Sequence, residues 1–146
     1  MKFASWKKVY DPIVLPIEGA DGVEREYTLP VVNGVDGNLL KVARDPESGV
    51  TLTNDDVYRI YLGDAHKQMV EDGVSARAIS RALITAQFDL EVNRDMAQAY
   101  WESGDVPKAT AAWLSRSTST PSDDSTDADG TTKPPASTSG TKRRRK

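Results

Sequence analysis

Two short runs of extended character lie near the start of the chain, Leu15-Pro16-Ile17-Glu18-Gly19 and Glu26-Tyr27-Thr28-Leu29-Pro30. Between them lies Ala20-Asp21-Gly22-Val23, whose Asp-Gly pair is a turn signal, so the pattern predicts a β-hairpin. Pro16 and Pro30 sit where a missing backbone donor is tolerated, which points to edge strands. A sheet this small needs helices against one face.

The period then changes from two to 3.6. Thr53-Asn54-Asp55-Asp56 has the form of a capping box, with acidic groups in the favourable field of a helix start. From Asn54 the positions Tyr58, Tyr61, Leu62, Ala65 and Met69 make one apolar stripe, which predicts a helix that Asp72-Gly73 stops. Ser75 is a good N-cap for the next helix, which carries Ile79, Leu83, Ala86 and Leu90 on one face and Ile84, Phe88 and Val92 on another. A helix apolar on two faces is expected at the centre of the fold. Asn93-Arg94-Asp95 restarts or continues a short helix through Met96, Ala97, Tyr100 and Trp101 to Ser103-Gly104, and Leu39–Ala43 adds a further short one. No period of 20–50 residues repeats, which argues against a solenoid. The expected fold class is α+β: a small N-terminal β-hairpin packed on a mainly helical domain of three to four helices.

Composition sets where that domain ends. Of the 32 residues from Ser115 to Lys146, 14 are Ser or Thr, and Ala128 and Ala136 are the only apolar side chains besides proline. Such a segment cannot bury enough surface to offset an ordering cost of about 1–2 kcal/mol per residue. The organisation is therefore a domain over 1–114 and a disordered Ser/Thr/Pro-rich tail over 115–146. Charge divides at the same place: −6 for 1–114 and +3 for 115–146, giving −3 for all 146 residues. The tail closes on Lys142-Arg143-Arg144-Arg145-Lys146, which has three readings: a solvated end, a phosphate contact, or a hook for an acidic partner.

Several chemistries are excluded by residue type. With no cysteine there is no disulfide, thiolate nucleophile or Cys-based zinc site, and a His-rich metal site fails because His66 stands alone. His66 lies at the border of the helix stripe without a G-x-S-x-G elbow, so it reads as structural. Gly19, Gly22, Gly34 and Gly37 are spaced as turn residues, and no phosphate-cradling P-loop is present. The pairs Asp55/Asp56 and Glu71/Asp72 fall at a helix start and a helix end, and read as structural or solubilising carboxylates. No stretch approaches the roughly 20 apolar residues of a membrane span, and Met1–Lys8 lacks the apolar core of a signal peptide. The expectation is a soluble protein without catalytic residues, cofactor or metal, and without a membrane partner.

Aromatic residues are the remaining candidates for function. Indole rings are enriched at interfaces because one rigid side chain buries much area. Tyr100 and Trp101 either pack the C-terminal helix or meet a partner. Trp113, beyond Pro107, either meets a partner or belongs to a local helix over Lys108–Leu114, and Trp6 reads as an anchor for the N-terminal arm. Tyr100, Trp101 and Trp113 are the candidate partner-binding residues.

The sequence also resembles a known family. Leu15-Pro16-Ile17-x-Gly19 and Tyr27-x-Leu29-Pro30 are followed by Leu62-Gly63-Asp64-Ala65, Met69-Val70-x-Asp72-Gly73-Val74, and Thr85-Ala86 with Asp89. Arg94-Asp95-x-Ala97-x-Ala99-Tyr100-Trp101-Glu102 and the Lys-Pro-containing tail with Ala136-Ser137-Thr138-Ser139-Gly140 complete the pattern. In this order they resemble the small tail assembly chaperones of long-tailed, siphovirus-like phages that infect actinobacteria. The resemblance implies a non-enzymatic chaperone in the host cell cytoplasm, absent from the mature virion, that keeps the tape-measure protein soluble during tail-tube assembly. It further implies a longer product made by programmed frameshift, through which the tail-tube protein is engaged, with self-association left open. The Lys108–Leu114 stretch departs from the polar linker expected of the family. Two alternatives stand beside it: a structural tail or head–tail connector protein, and a nucleic-acid-binding module using the basic end. Phosphate would repel the acidic body, which disfavours nucleic acid.

Overall fold

The structure, a computed structural model, describes residue 2 and residues 11–118. The expectations for Trp6 and for residues 119–146, including the terminal basic cluster, lie outside the described residues.

Strands β1 (Val14–Glu18) and β2 (Glu24–Thr28) form a two-stranded antiparallel sheet in which Leu15 pairs with Tyr27 and Ile17 with Arg25. Alternation decides which face turns inward: Leu15, Ile17 and Tyr27 are buried, while Val14, Pro16 and Glu18 are exposed. The turn is closed by the Gly19 amide donating to the Val23 carbonyl at 3.0 Å, with Gly22 at φ 74°. Asp21 holds it further, accepting from the Val23 amide at 3.1 Å and from Arg25 at 2.9 and 2.6 Å. These bonds hold the Asp21 carboxyl well below the usual carboxylate range and raise the Arg25 guanidinium.

Six α-helices follow among the described residues: α1 (Gly34–Ala43), α2 (Asn54–Tyr61), α3 (Asp64–Glu71), α4 (Ala76–Glu91), α5 (Arg94–Ser103) and α6 (Val106–Thr118). The fold is thus α+β, with more helices than expected. The first difference is α1, which starts at Gly34 and not near Leu39. Asn33 caps it by accepting from the Asp36 amide at 2.8 Å, so Gly34 and Gly37 are helical residues and not turn residues.

The second difference is at Gly63, where the stripe from Tyr58 to Met69 is divided between two helices. Gly63 has φ 54° and ψ −136°, a conformation that costs any side chain, and a Cβ there would lie 2.9 Å from Pro30 Cγ. The chain turns where Pro30 abuts it. Leu62, Ala65 and Met69 nonetheless share one core, and each of Leu62 and Met69, fully buried, contributes about 1.5–3 kcal/mol.

The third difference is α6, which runs through Thr118, past the boundary expected at Ser115. Its start is capped by Asp105, whose Oδ1 accepts from the Lys108 amide at 2.9 Å.

The starts of α2, α4 and α5 follow the sequence closely. Both halves of the capping box form at α2, with the Asp56 amide donating to Thr53 Oγ1 at 3.1 Å and the Thr53 amide to Asp56 Oδ2 at 3.0 Å. Ser75 and Asn93 cap α4 and α5 through the Ala78 and Met96 amides. Helix α4 is central as expected. Ile79, Ala82 and Ala86 face a core shared with the hairpin, α2 and α3, while Ile84 and Phe88 face a smaller one built by Met96, Ala99, Tyr100 and Ala109. Leu90 and Val92, at the end of both stripes, are exposed.

Candidate partner-binding surface

The hairpin is locked onto the end of α3, and this fixes the wall of the main groove. The Tyr27 hydroxyl donates to Asp72 Oδ2 at 2.8 Å, Arg25 Nε lies 3.8 Å from Asp72 Oδ1, and the Ala20 amide donates to the Asp72 carbonyl at 2.9 Å. Burial and the Asp72 carboxylate together raise the Tyr27 hydroxyl above its ordinary value. Of the carboxylate pair read as structural or solubilising, Glu71 is exposed and pairs with Lys67, and Asp72 anchors the hairpin.

Along the groove, Pro16, Ile17 and Glu18 of β1 face Arg77, Ser80 and Arg81 of α4, and the end of α5 with Trp101, Ser103 and Gly104 closes it. The half-buried Trp101 ring packs against the main core on one side. On the other, the Arg81 guanidinium carbon stands 5.5 Å from the ring centroid, within cation–π range. Arg81 Nη2 donates to the Trp101 carbonyl, satisfying one of the orphan acceptors at the end of α5. Gly104 leaves space for this group, since a Cβ there would lie 3.0 Å from the guanidinium carbon. Trp101 also lines a second, smaller cleft with Pro12, Ile13 and Thr85.

The three candidate aromatics therefore occupy different environments. Tyr100 is 7 % exposed and its ring meets Phe88 edge-on at 5.3 Å, so it offers little surface to a partner. Trp101 is half-buried between two clefts. Trp113 is half-buried on α6 against the smaller core, beside exposed Leu114, and it belongs to a helix that extends the anticipated Lys108–Leu114 segment at both ends.

Another cleft lies on the far side of the strand entry, lined by Pro12, Ile13, Pro30, Val31, Leu90 and Arg94 among others. Arg94 bridges its ends, with Nε donating to Asp89 Oδ1 at 2.5 Å and Nη2 to the Asp11 carbonyl at 2.8 Å. Val31 and Leu90, 53 % and 45 % exposed, form its apolar lip.

Elsewhere the polar groups that invite a catalytic reading are engaged structurally. His66 stacks on Tyr58 with centroids 4.3 Å apart and planes 3° from parallel. The Thr53 hydroxyl and amide lower the Asp56 carboxyl. Tyr61 donates to Glu91 Oε1 at 3.0 Å, Arg44 pairs with the same oxygen, and burial first, then Glu91, pushes the Tyr61 hydroxyl up to about 12. Among the described residues, no group of His and acidic side chains is arranged to hold a metal ion, and no helix is long and apolar enough to cross a membrane.

Sequence reasoning missed Arg77 and Arg81. Their signal was present: they are four apart on α4, and neither has an acidic residue three or four positions away.

A family model described as Domain of unknown function (DUF7426) matches residues 7–141, and the chain belongs to that family. No curated protein and no solved structure matches it.

Proposed function

We propose that the chain is a tail assembly chaperone of a long-tailed phage, binding the tape-measure protein and keeping it soluble while tail-tube subunits assemble around it. Support comes from where the residues shared with that family meet. Pro30 abuts Gly63, Gly19 and Ala20 abut Asp72 and Gly73, and Tyr27 bonds to Asp72. Four of the sequence fragments thus meet in one framework, the hairpin docked on α2 and α3. The resemblance carries the function over by analogy.

The surface suits such work. The 1–114 segment carries −6, so copies of it along an apolar helical client would resist aggregation by charge. Trp101 and the apolar lip at Val31 and Leu90 offer contacts for an exposed client stripe. In this reading the protein acts in the host cytoplasm without catalysis. A longer frameshifted product brings the tail-tube protein, and neither form remains in the mature virion.

The experiment is a pull-down from the native locus, tagged at the N-terminus and expressed with the downstream genes, with products identified by mass spectrometry. Recovery of a longer product sharing the domain, together with a large helical partner, is expected. Recovery of the 146-residue chain alone or within virion-like particles overturns the proposal and favours a structural phage protein.

A further inference from the structure

Seven arginines lie among the described residues, and five have a carboxylate within 4.0 Å: Arg25, Arg44, Arg59, Arg94 and Arg116. Arg77 and Arg81 are in no ion pair with any described residue, and both line the groove between β1, α4 and α5. Arg77 is exposed. Arg81 is half-buried on Trp101 with a backbone carbonyl as acceptor, and its Nε is buried without a partner. A guanidinium has five donors and keeps its charge at any physiological pH, so a half-buried one without a counter-charge is an open binding capacity. Ser75, Ser80 and Ser103 add hydroxyls around the pair, and Glu18 is the acidic group on the opposite wall.

The chain carries a complementary segment outside the described residues. Residues 123–129 contain Asp123, Asp124, Asp127 and Asp129, the four carboxylates of the tail. Near the end of α6, Arg116 Nη2 bonds to Glu102 Oε2 at 3.1 Å, and Glu102 is the chain neighbour of the groove residues Trp101 and Ser103, so the two long side chains span the distance from α6 to that part of α5. From Thr118 to Asp123 an extended chain reaches about 17 Å, and to Asp129 about 37 Å.

We propose that this groove binds the chain's own acidic segment, residues 123–129, through carboxylate contacts to Arg77 and Arg81. Docking supplies the missing counter-charge, and it covers Trp101. The tail then competes for a surface offered to partners, whatever their identity, so the inference does not depend on the chaperone reading.

Because the chain has no cysteine, S125C gives a single attachment point for a nitroxide label in the full-length protein. Paramagnetic broadening is read on the Trp101 indole and on the amides of Arg77 and Ser103. Loss of those signals is expected. Their return is expected with R77Q, which changes an exposed side chain, and with the combined D123N, D124N, D127N and D129N variant carrying the same label. Three results would each overturn the proposal: sharp groove signals in the labelled folded chain, broadening that survives neutralisation of the four aspartates, or broadening found equally when a labelled chain is mixed with an unlabelled, isotopically enriched one. The last would assign docking to a second copy.

Discussion

The Tyr27 hydroxyl donates to Asp72 Oδ2 at 2.8 Å across 45 positions of sequence, tying β2 to the end of α3. A two-stranded hairpin is marginal by itself. This bond, with the Ala20-to-Asp72 backbone bond beside it, makes the hairpin one body with the helices. Y27F removes the bond while keeping the ring, and Asp72, partly exposed, regains water. A loss of about 1.5 kcal/mol is expected, read in urea as a lower midpoint with unchanged slope.

Gly63 with Pro30 makes a second prediction. G63A places a Cβ at φ 54° and 2.9 Å from Pro30 Cγ, and a loss of about 1–3 kcal/mol is expected in thermal or urea unfolding. Adding P30A relieves the contact but not the backbone strain. The double variant is therefore more stable than the two single losses added together.

Alkaline stability depends on Tyr61. Its hydroxyl titrates near 10 when unfolded and is pushed up to about 12 in the fold, so the folded state holds the proton more tightly. That contribution is fully present below pH 10 and is lost as pH rises toward 12. Urea midpoints of Y61F are expected to fall less steeply than wild type across this window. Equal slopes would remove the assignment.

Acid stability responds at the start of α2. Asp56 is lowered from 3.8 by Thr53, so its contribution is present above that value and is lost as pH falls below it. In T53A the two capping bonds from the hydroxyl are gone. Circular dichroism between pH 5 and 2 should show a shallower acid dependence than in wild type.

Local chemistry was legible and tertiary chemistry was not. Thr53 with Asp56, Ser75 and Asn93 announce helix starts because each cap is satisfied within three residues, and Gly73 and Gly104 announce ends because positive φ suits glycine. Gly63 was invisible because Leu62, Ala65 and Met69 keep helical spacing across it, and the residue that crowds it, Pro30, lies 33 positions earlier. Asp72 read as a structural or solubilising carboxylate without a partner for the same reason, Tyr27 being 45 positions away in sequence. Arg77 and Arg81 could have been singled out by their lack of acidic neighbours on α4. That they share a groove with Trp101 required the fold.

Trp101 is the aromatic candidate between two clefts, and W101A is expected to weaken partner recovery about tenfold or more, as loss of an interface hot spot does. Y100F, altered inside the small core, should leave recovery unchanged, with circular dichroism confirming that both variants are folded.

The central claim is that this chain keeps a tape-measure protein soluble. The most direct measurement co-expresses the tape-measure protein of the same locus with and without the chain and compares its soluble fraction after centrifugation. The account predicts that it is soluble and co-purifies with the chain when both are made, and sediments when alone. A tape-measure protein equally soluble in both cases, with no chain bound, would contradict it.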